Sequence, residues 1–239
     1  MNSINYKGKK KDFNSENIKN LKVDTEKLKI NLQNVKKDEE LIILIESGSL
    51  APPHRMHIGI MELTKKYIEN NYKTKKVVGG YLIPSSDGYV KQKLKNDFIP
   101  LKHRINMTKI MIQDSDWLEC LDWGYAAGEK IKFCLQEIIN QQFPDLNIKC
   151  ILVFGIDYYM KISRKLKDEH ICVFRPGYDI DTIKKKYPEN LMFVEGNDED
   201  ISSTLLRSAI RENDEENIID LTSKEIVQYI KNNNIFSEK

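Results

Sequence analysis

Long hydrophobic runs are missing from this sequence. The longest aliphatic stretch, LIILI at residues 41–45, is far too short to span a bilayer. The first residues, MNSINYKGKKKDF, hold no apolar segment, so the sequence predicts no secretory signal and no membrane partner. Cysteine and histidine are scarce, with four of each, and Cys120, Cys134, Cys150 and Cys172 show no C-x-x-C spacing. That argues against a structural zinc site or a disulfide framework and predicts reduced, buried thiols in an intracellular protein, cytoplasmic or nuclear. No charge dominates either. Lys+Arg number 38 and Asp+Glu 36, a net charge of +2. A protein that coats nucleic acid needs a clear basic excess, so no nucleic-acid partner is expected, and any anion site must be local.

What is present suits a globular enzyme. Hydrophobic residues make up 40% of 239, enough for a sizeable core. Residues 1–39 are rich in Lys and Asn and read as a solvated extension, partly helical over 17–32. The globular domain is expected over 40–239. Within it, short apolar runs at 41–45, 76–84, 148–154, 170–174 and 191–194 read as buried strands. Helical patterns alternate with them at 57–71, 102–112, 125–140, 204–212 and 223–232. In the first of these, Ile58, Met61, Leu63, Tyr67 and Ile68 are the expected core positions. The alternation predicts an α/β fold: a Rossmann-like, doubly wound parallel sheet with helices on both faces. Ligands of such sheets bind beyond the carboxyl ends of the strands.

Two loops at that edge carry the chemistry. The first, GSLAPPHRMH at 48–57, follows the first strand and opens a helix. Small residues such as Gly48 and Ser49 let the backbone approach a phosphate, and the helix start offers free N–H groups. His54 and His57 add imidazole donors. The second, ISSTLLR at 201–207, also starts a helix. One hydroxyl of Ser202, Ser203 and Thr204 suffices for capping. All of them, with Arg207 a turn later, suit a polyphosphate.

Together these residues resemble the nucleotidylyltransferase superfamily, whose signatures are (H/T)-x-x-H after the first strand and ISSTxxR near the C-terminus. Other segments narrow the resemblance to the nicotinamide/nicotinate mononucleotide adenylyltransferases of eukaryotic type. They are PSSDGYVK at 84–91, His103-Arg104 with Met107, Ser115-Asp116-Trp117 with Trp123, Gly155-Ile156-Asp157, and Arg175 after a strand. The likeness spans about residues 40–236.

The resemblance implies transfer of the adenylyl group of ATP to nicotinamide or nicotinate mononucleotide, releasing pyrophosphate. Mg²⁺ is implied, bound mainly through phosphate oxygens, as is a homo-oligomer. His54, His57 and Arg207 are the implied catalytic residues. Gly48, Ser49, Gly155, Asp157, Ser202, Ser203, Thr204 and Arg175 are implied to hold ATP. Lys91 is implied to meet the mononucleotide phosphate, and Trp117 and Trp123 its pyridine ring. The chain departs from the family pattern in three places. Leu50-Ala51 replaces Phe-Asn, His54 takes the bacterial form, and the stretch 158–174 is short and lacks the family's loop Trp. Two other readings remain at this level. One is a transferase of the same fold with a different acceptor; the other is a non-catalytic ATP-binding or chaperone-like module.

Overall fold

The computed structural model describes residues 21–124, 128–159, 169–186, 191–196 and 201–236. Six strands form one parallel sheet: β1 Glu40–Gly48, β2 Lys75–Pro84, β3 Leu118–Cys120, β4 Ile148–Gly155, β5 His170–Phe174 and β6 Leu191–Glu195. Their order is β3-β2-β1-β4-β5-β6, with parallel register throughout. The doubly wound expectation therefore holds. The switch point lies between β1 and β4, where the chain leaves toward opposite halves of the sheet.

The central strand shows why both faces must be covered. Along β1, Leu41, Ile43 and Ile45 enter one apolar layer, while Ile42 and Leu44 enter the other. Successive side chains of a strand point to opposite faces, so a near-continuous apolar run demands helices on each side. Helix α2 (Arg55–Asn71) covers the second layer, with Met61 and Ile68 fully buried and Ile58, Leu63 and Tyr67 packed beside them. Helix α5 (Gly128–Gln142) covers the first through Ile131, Leu135 and Ile139. The expected start of α5 at 125–127 lies outside the described residues.

The solvated reading of residues 1–39 needs correction. Residues 1–20 lie outside the described part, but a short helix α1 (Glu26–Leu32) docks on the sheet. Leu28 is 2% exposed and belongs to the first core layer. Asn31 donates to Val78 O, Lys27 to Leu118 O, and Tyr81 Oη to Asp24 O. Leu28 is the one fully buried residue of α1, Leu32 one turn on packs against the same layer, and the helix falls within the partly helical stretch expected over 17–32.

The remaining helices are α3 (Asp87–Leu94), α4 (Leu101–Met111), α6 (Ile156–Tyr159), α7 (Ile180–Lys186), α8 (Ser203–Glu212), α9 (Glu215–Leu221) and α10 (Lys224–Asn232). Side chains cap several of them. Ser202 accepts from Leu205 N–H, Asp214 from Asn217 N–H and Ser223 from Ile226 N–H. All four cysteines are buried and free, and no helix among the described residues is long and apolar enough to cross a membrane.

Replacing Leu28 by Ala should cost about 2–4 kcal/mol of unfolding free energy, as for other buried leucines. Urea melts of the two proteins measure it. A change near zero would return residues 21–39 to the status of a solvated tail.

Candidate active site

The carboxyl edge of β1 and β4 is open. A Cβ built on Gly48 or on Gly155 would meet no atom within 4 Å, so the backbone there faces free space. The loop after β1 enters this space, and it cannot satisfy its own carbonyls. Two buried guanidinium groups do so. Arg104, fully buried on α4, donates to Ser49 O (2.9 Å), Ile99 O (2.8 Å) and Asp87 Oδ1 (3.0 Å). Arg207, on α8, donates to Ala51 O (2.9 Å), Asp97 Oδ2 (3.0 Å) and Thr204 Oγ1 (3.1 Å). Ser203 Oγ adds a bond to Pro52 O at 2.8 Å. The two sequence motifs, some 150 residues apart, are thus bonded directly to each other.

The histidines sit at the start of α2. His54 precedes the helix and His57 is its third residue. The backbone N–H of His54 donates to His57 Nδ1 at 3.0 Å, one half of a capping box. Nδ1 also lies 3.2 Å from His54 O; in the tautomer that accepts from the His54 N–H, the proton of the neutral ring sits on Nε2. The nearest acid to Nε2 is Glu46 Oε1 at 3.9 Å, too far for a hydrogen bond. His57 therefore keeps one N–H donor for a ligand.

Burial sets the charge state of this corner. The His54 and His57 rings are 3.7 Å apart at 37°. Desolvation pushes His57 down to about 4, opposed by the contact of its Nδ1 with the His54 carbonyl oxygen at 3.2 Å and helped by the charge of Lys93. Desolvation and the neighbouring His57 push His54 down to about 2. Glu46, on the α2 side of β1, moves the other way: burial raises its carboxyl well above the ordinary range. One of its oxygens has no partner within the protein. Burial thus biases all three groups toward their neutral forms, which weakens the negative field of Glu46 at an anion site.

The other expected residues divide. Ser49 stands in the loop with its hydroxyl 3.0 Å from Lys93 Nζ. Ser202, Ser203 and Thr204 open α8 beside it. Gly155 and Arg175 end β4 and follow β5 on the same edge. The side chain of Asp157 lies outside the described part. Trp123 follows β3 near that edge, but it is 9% exposed and donates from Nε1 to Lys22 O.

Trp117 is not brought to the site. It precedes β3 at the far end of the sheet, opposite the middle of β2. Its Nε1 donates to Glu62 Oε1 at 2.7 Å, and Lys65 Nζ lies 4.6 Å from its ring centroid. The ring presses on Gly80 so closely that a Cβ there would come within 2.5 Å of it. It is a core residue, and the expected pyridine contact is corrected accordingly. Lys91 is exposed on α3.

Sequence reasoning missed Glu46, Asp97, Lys93 and the loop-holding role of Arg104. Only Arg104 left a signal, an arginine on the face of α4 that also carries Met107 and Thr108.

The histidines predict a stability profile. Both folded-state values lie below the ordinary 6.5, so from there down to about 4 the folded protein binds fewer protons than the unfolded chain. The histidine contribution to stability falls as pH drops through that window, on the order of 2 kcal/mol per histidine between pH 7 and 5, while the raised carboxyl of Glu46 contributes with the opposite sign, so the histidine part is read as the difference from a variant lacking them. Urea melts at the two pH values check this. A His54→Gln/His57→Gln double variant should flatten the dependence.

Comparison with known proteins agrees with this geometry. Residues 46–209, about two thirds of the chain, match the family described as cytidylyltransferase-like. An Arabidopsis thaliana nicotinamide/nicotinic acid mononucleotide adenylyltransferase is 26% identical over 229 residues, covering 84% of this chain and 92% of that protein. A Xenopus tropicalis nicotinamide/nicotinic acid mononucleotide adenylyltransferase 2 is 36% identical over 84 residues, 34% of this chain and 25% of that one. Among solved structures, Plasmodium falciparum nicotinic acid mononucleotide adenylyltransferase complexed with NaAD superposes with a TM-score of 0.57. It is 20% identical and covers 82% of this chain and 97% of that one, a likeness of fold. On the family match, with its two motif loops joined at the switch point of the sheet, the chain belongs to the cytidylyltransferase-like family.

Proposed function

We propose that the protein transfers the adenylyl group of ATP to nicotinamide or nicotinate mononucleotide, giving NAD or its deamido form and pyrophosphate. The observation that carries this reading is the bonding of the 48–57 loop to the 201–207 loop at the open edge between β1 and β4. The names of the relatives, across most of the chain in the Arabidopsis thaliana case, supply the acceptor class.

The reaction needs little covalent help. An oxygen of the mononucleotide 5′-phosphate, ionised at neutral pH, bonds to the α-phosphorus of ATP. The bond from that phosphorus to the bridging oxygen breaks, and the electron pair leaves with pyrophosphate. The protein contributes placement and charge stabilisation. His57 donates from Nε2 to the α-phosphate and remains neutral through the working pH range. The N–H groups at the start of α8, with the hydroxyls of Ser202 and Thr204, receive the departing phosphates. Arg207 holds the first loop against α8 from Ala51 O and lends its charge to the same corner. Gly48 and Gly155 leave room for the nucleotide to lie against the strand ends.

Mg²⁺ fits this site as an ion carried by ATP. Among the described residues no group of three or more His, Cys, Asp or Glu stands ready to hold a metal. Phosphate oxygens and water are the donors a hard cation prefers, and the ion supplies charge neutralisation. Self-association belongs to the same reading and is measured by sedimentation.

Purified protein with ATP, Mg²⁺ and either mononucleotide should release pyrophosphate. Changing His57 to Ala should lower kcat by about 10²–10³-fold, as for removal of one oxyanion donor, with a smaller change in KM for ATP. Full activity of that variant would remove His57 from the mechanism. ATP binding without release from either acceptor would defeat the proposed reaction.

A further inference from the structure

Helix α3 carries Lys91 and Lys93. Residues two apart on an α-helix stand about 200° apart around its axis. One loop can therefore meet only one of them. The structure shows which. Lys93 Nζ lies 3.0 Å from Ser49 Oγ, within the loop after β1. It also lies 5.9 Å from the ring centroid of Tyr89, one turn back on the same face of α3. Its charge reaches His57, where it helps to disfavour a second proton on the ring. Both lysines are exposed, and Lys91 stands on the other flank of the helix.

We infer that Lys93, rather than Lys91, is the cation that meets the phosphates at the first loop. The inference rests on the proposed reaction and adds a residue to it. Ser49 holds the ammonium at the mouth of the loop before any nucleotide arrives, which lowers the cost of ordering a long side chain on binding. A phosphate oxygen entering over Gly48 meets the ammonium, the loop hydroxyl and the His57 N–H together. Lysine suits the task because its charge is compact and its stem can follow the phosphate as the bond order changes. No bond to the lysine is made or broken.

The placement also has a cause in the chain. Asp87, the first residue of α3, accepts from Arg104 Nη2 and from Leu101 N–H. These bonds fix the rotation of α3 about its own axis, and that rotation turns the Lys93 face toward Ser49.

Three variants test the inference: Lys93→Met, which keeps the stem and removes the charge, Lys93→Arg, which keeps the charge, and Lys91→Met. Two readouts are needed. One is steady-state pyrophosphate release with ATP and the mononucleotide. The other is calorimetric binding of inorganic tripolyphosphate to the ligand-free protein. Lys93→Met should lower kcat/KM about a hundredfold and weaken tripolyphosphate at least about tenfold, while Lys93→Arg recovers most of both. Lys91→Met should leave tripolyphosphate affinity within a factor of about 3 of the unaltered protein. Equal losses of tripolyphosphate affinity from Lys91→Met and Lys93→Met, or an unaffected Lys93→Met, would overturn the inference. If the unaltered protein releases no pyrophosphate, the proposed reaction fails. The tripolyphosphate comparison then still decides Lys93 by itself.

Discussion

The site depends on backbone carbonyls that no strand or helix can satisfy. After Gly48 the chain leaves the sheet, turns through Leu50 with φ at 47°, and presents the oxygens of Ser49, Ala51 and Pro52 to the interior. A buried, unpaired carbonyl costs roughly 1–3 kcal/mol. Arg104 on α4 and Ser203 and Arg207 on α8 remove that cost. The guanidinium is suited to this because its planar fork serves several acceptors at once. Arg207 also pairs with Asp97, so its own buried charge is balanced. Removing either arginine would release the loop and strand an acceptor together.

Electrostatics at the site follow from the same crowding. The side chains under the loop, His54, His57 and Glu46, are driven by desolvation toward their neutral forms. Positive charge is carried by Lys93 at the rim and by buried Arg207, whose charge Asp97 shares. In the proposed reaction an incoming polyphosphate meets a cation at the entrance and neutral N–H donors deeper in. Neutral donors stabilise growing charge without requiring the protein to bury an unpaired ion before substrate arrives.

Particular elements show where sequence pattern suffices and where it fails. The strands at 41–45 and 148–154 are apolar on both faces, and that alone requires a central position in a parallel sheet. Helix α2 could be placed because its buried positions recur with helical period. Helix α3 buries a single residue, Val90, and was not expected, whereas α1 falls within the partly helical stretch expected over 17–32. Strand β3 is three residues long and pairs with β2 alone. The tryptophans illustrate the opposite error. Their flat faces suit an aromatic ligand, but Trp117 finds its flat partner in the glycine surface of β2.

By itself the sequence determined the fold class, the two loops to which phosphate chemistry is assigned, and the reading of the chain as a nucleotidyl-transferring enzyme. These are local properties: hydrophobic periodicity, small residues at strand ends, and hydroxyls and imidazoles at helix starts. The tertiary structure alone decided which side chains face the site. Whether Lys91 or Lys93 meets the loop depends on the rotation of α3, set by Asp87 and Arg104 from separate segments. Whether Trp117 meets a ligand depends on Gly80 across the sheet. Whether His57 is a neutral donor depends on the His54 backbone and on burial beside Glu46. Each is a contact between residues distant in the chain or a consequence of burial, and neither can be read from local pattern.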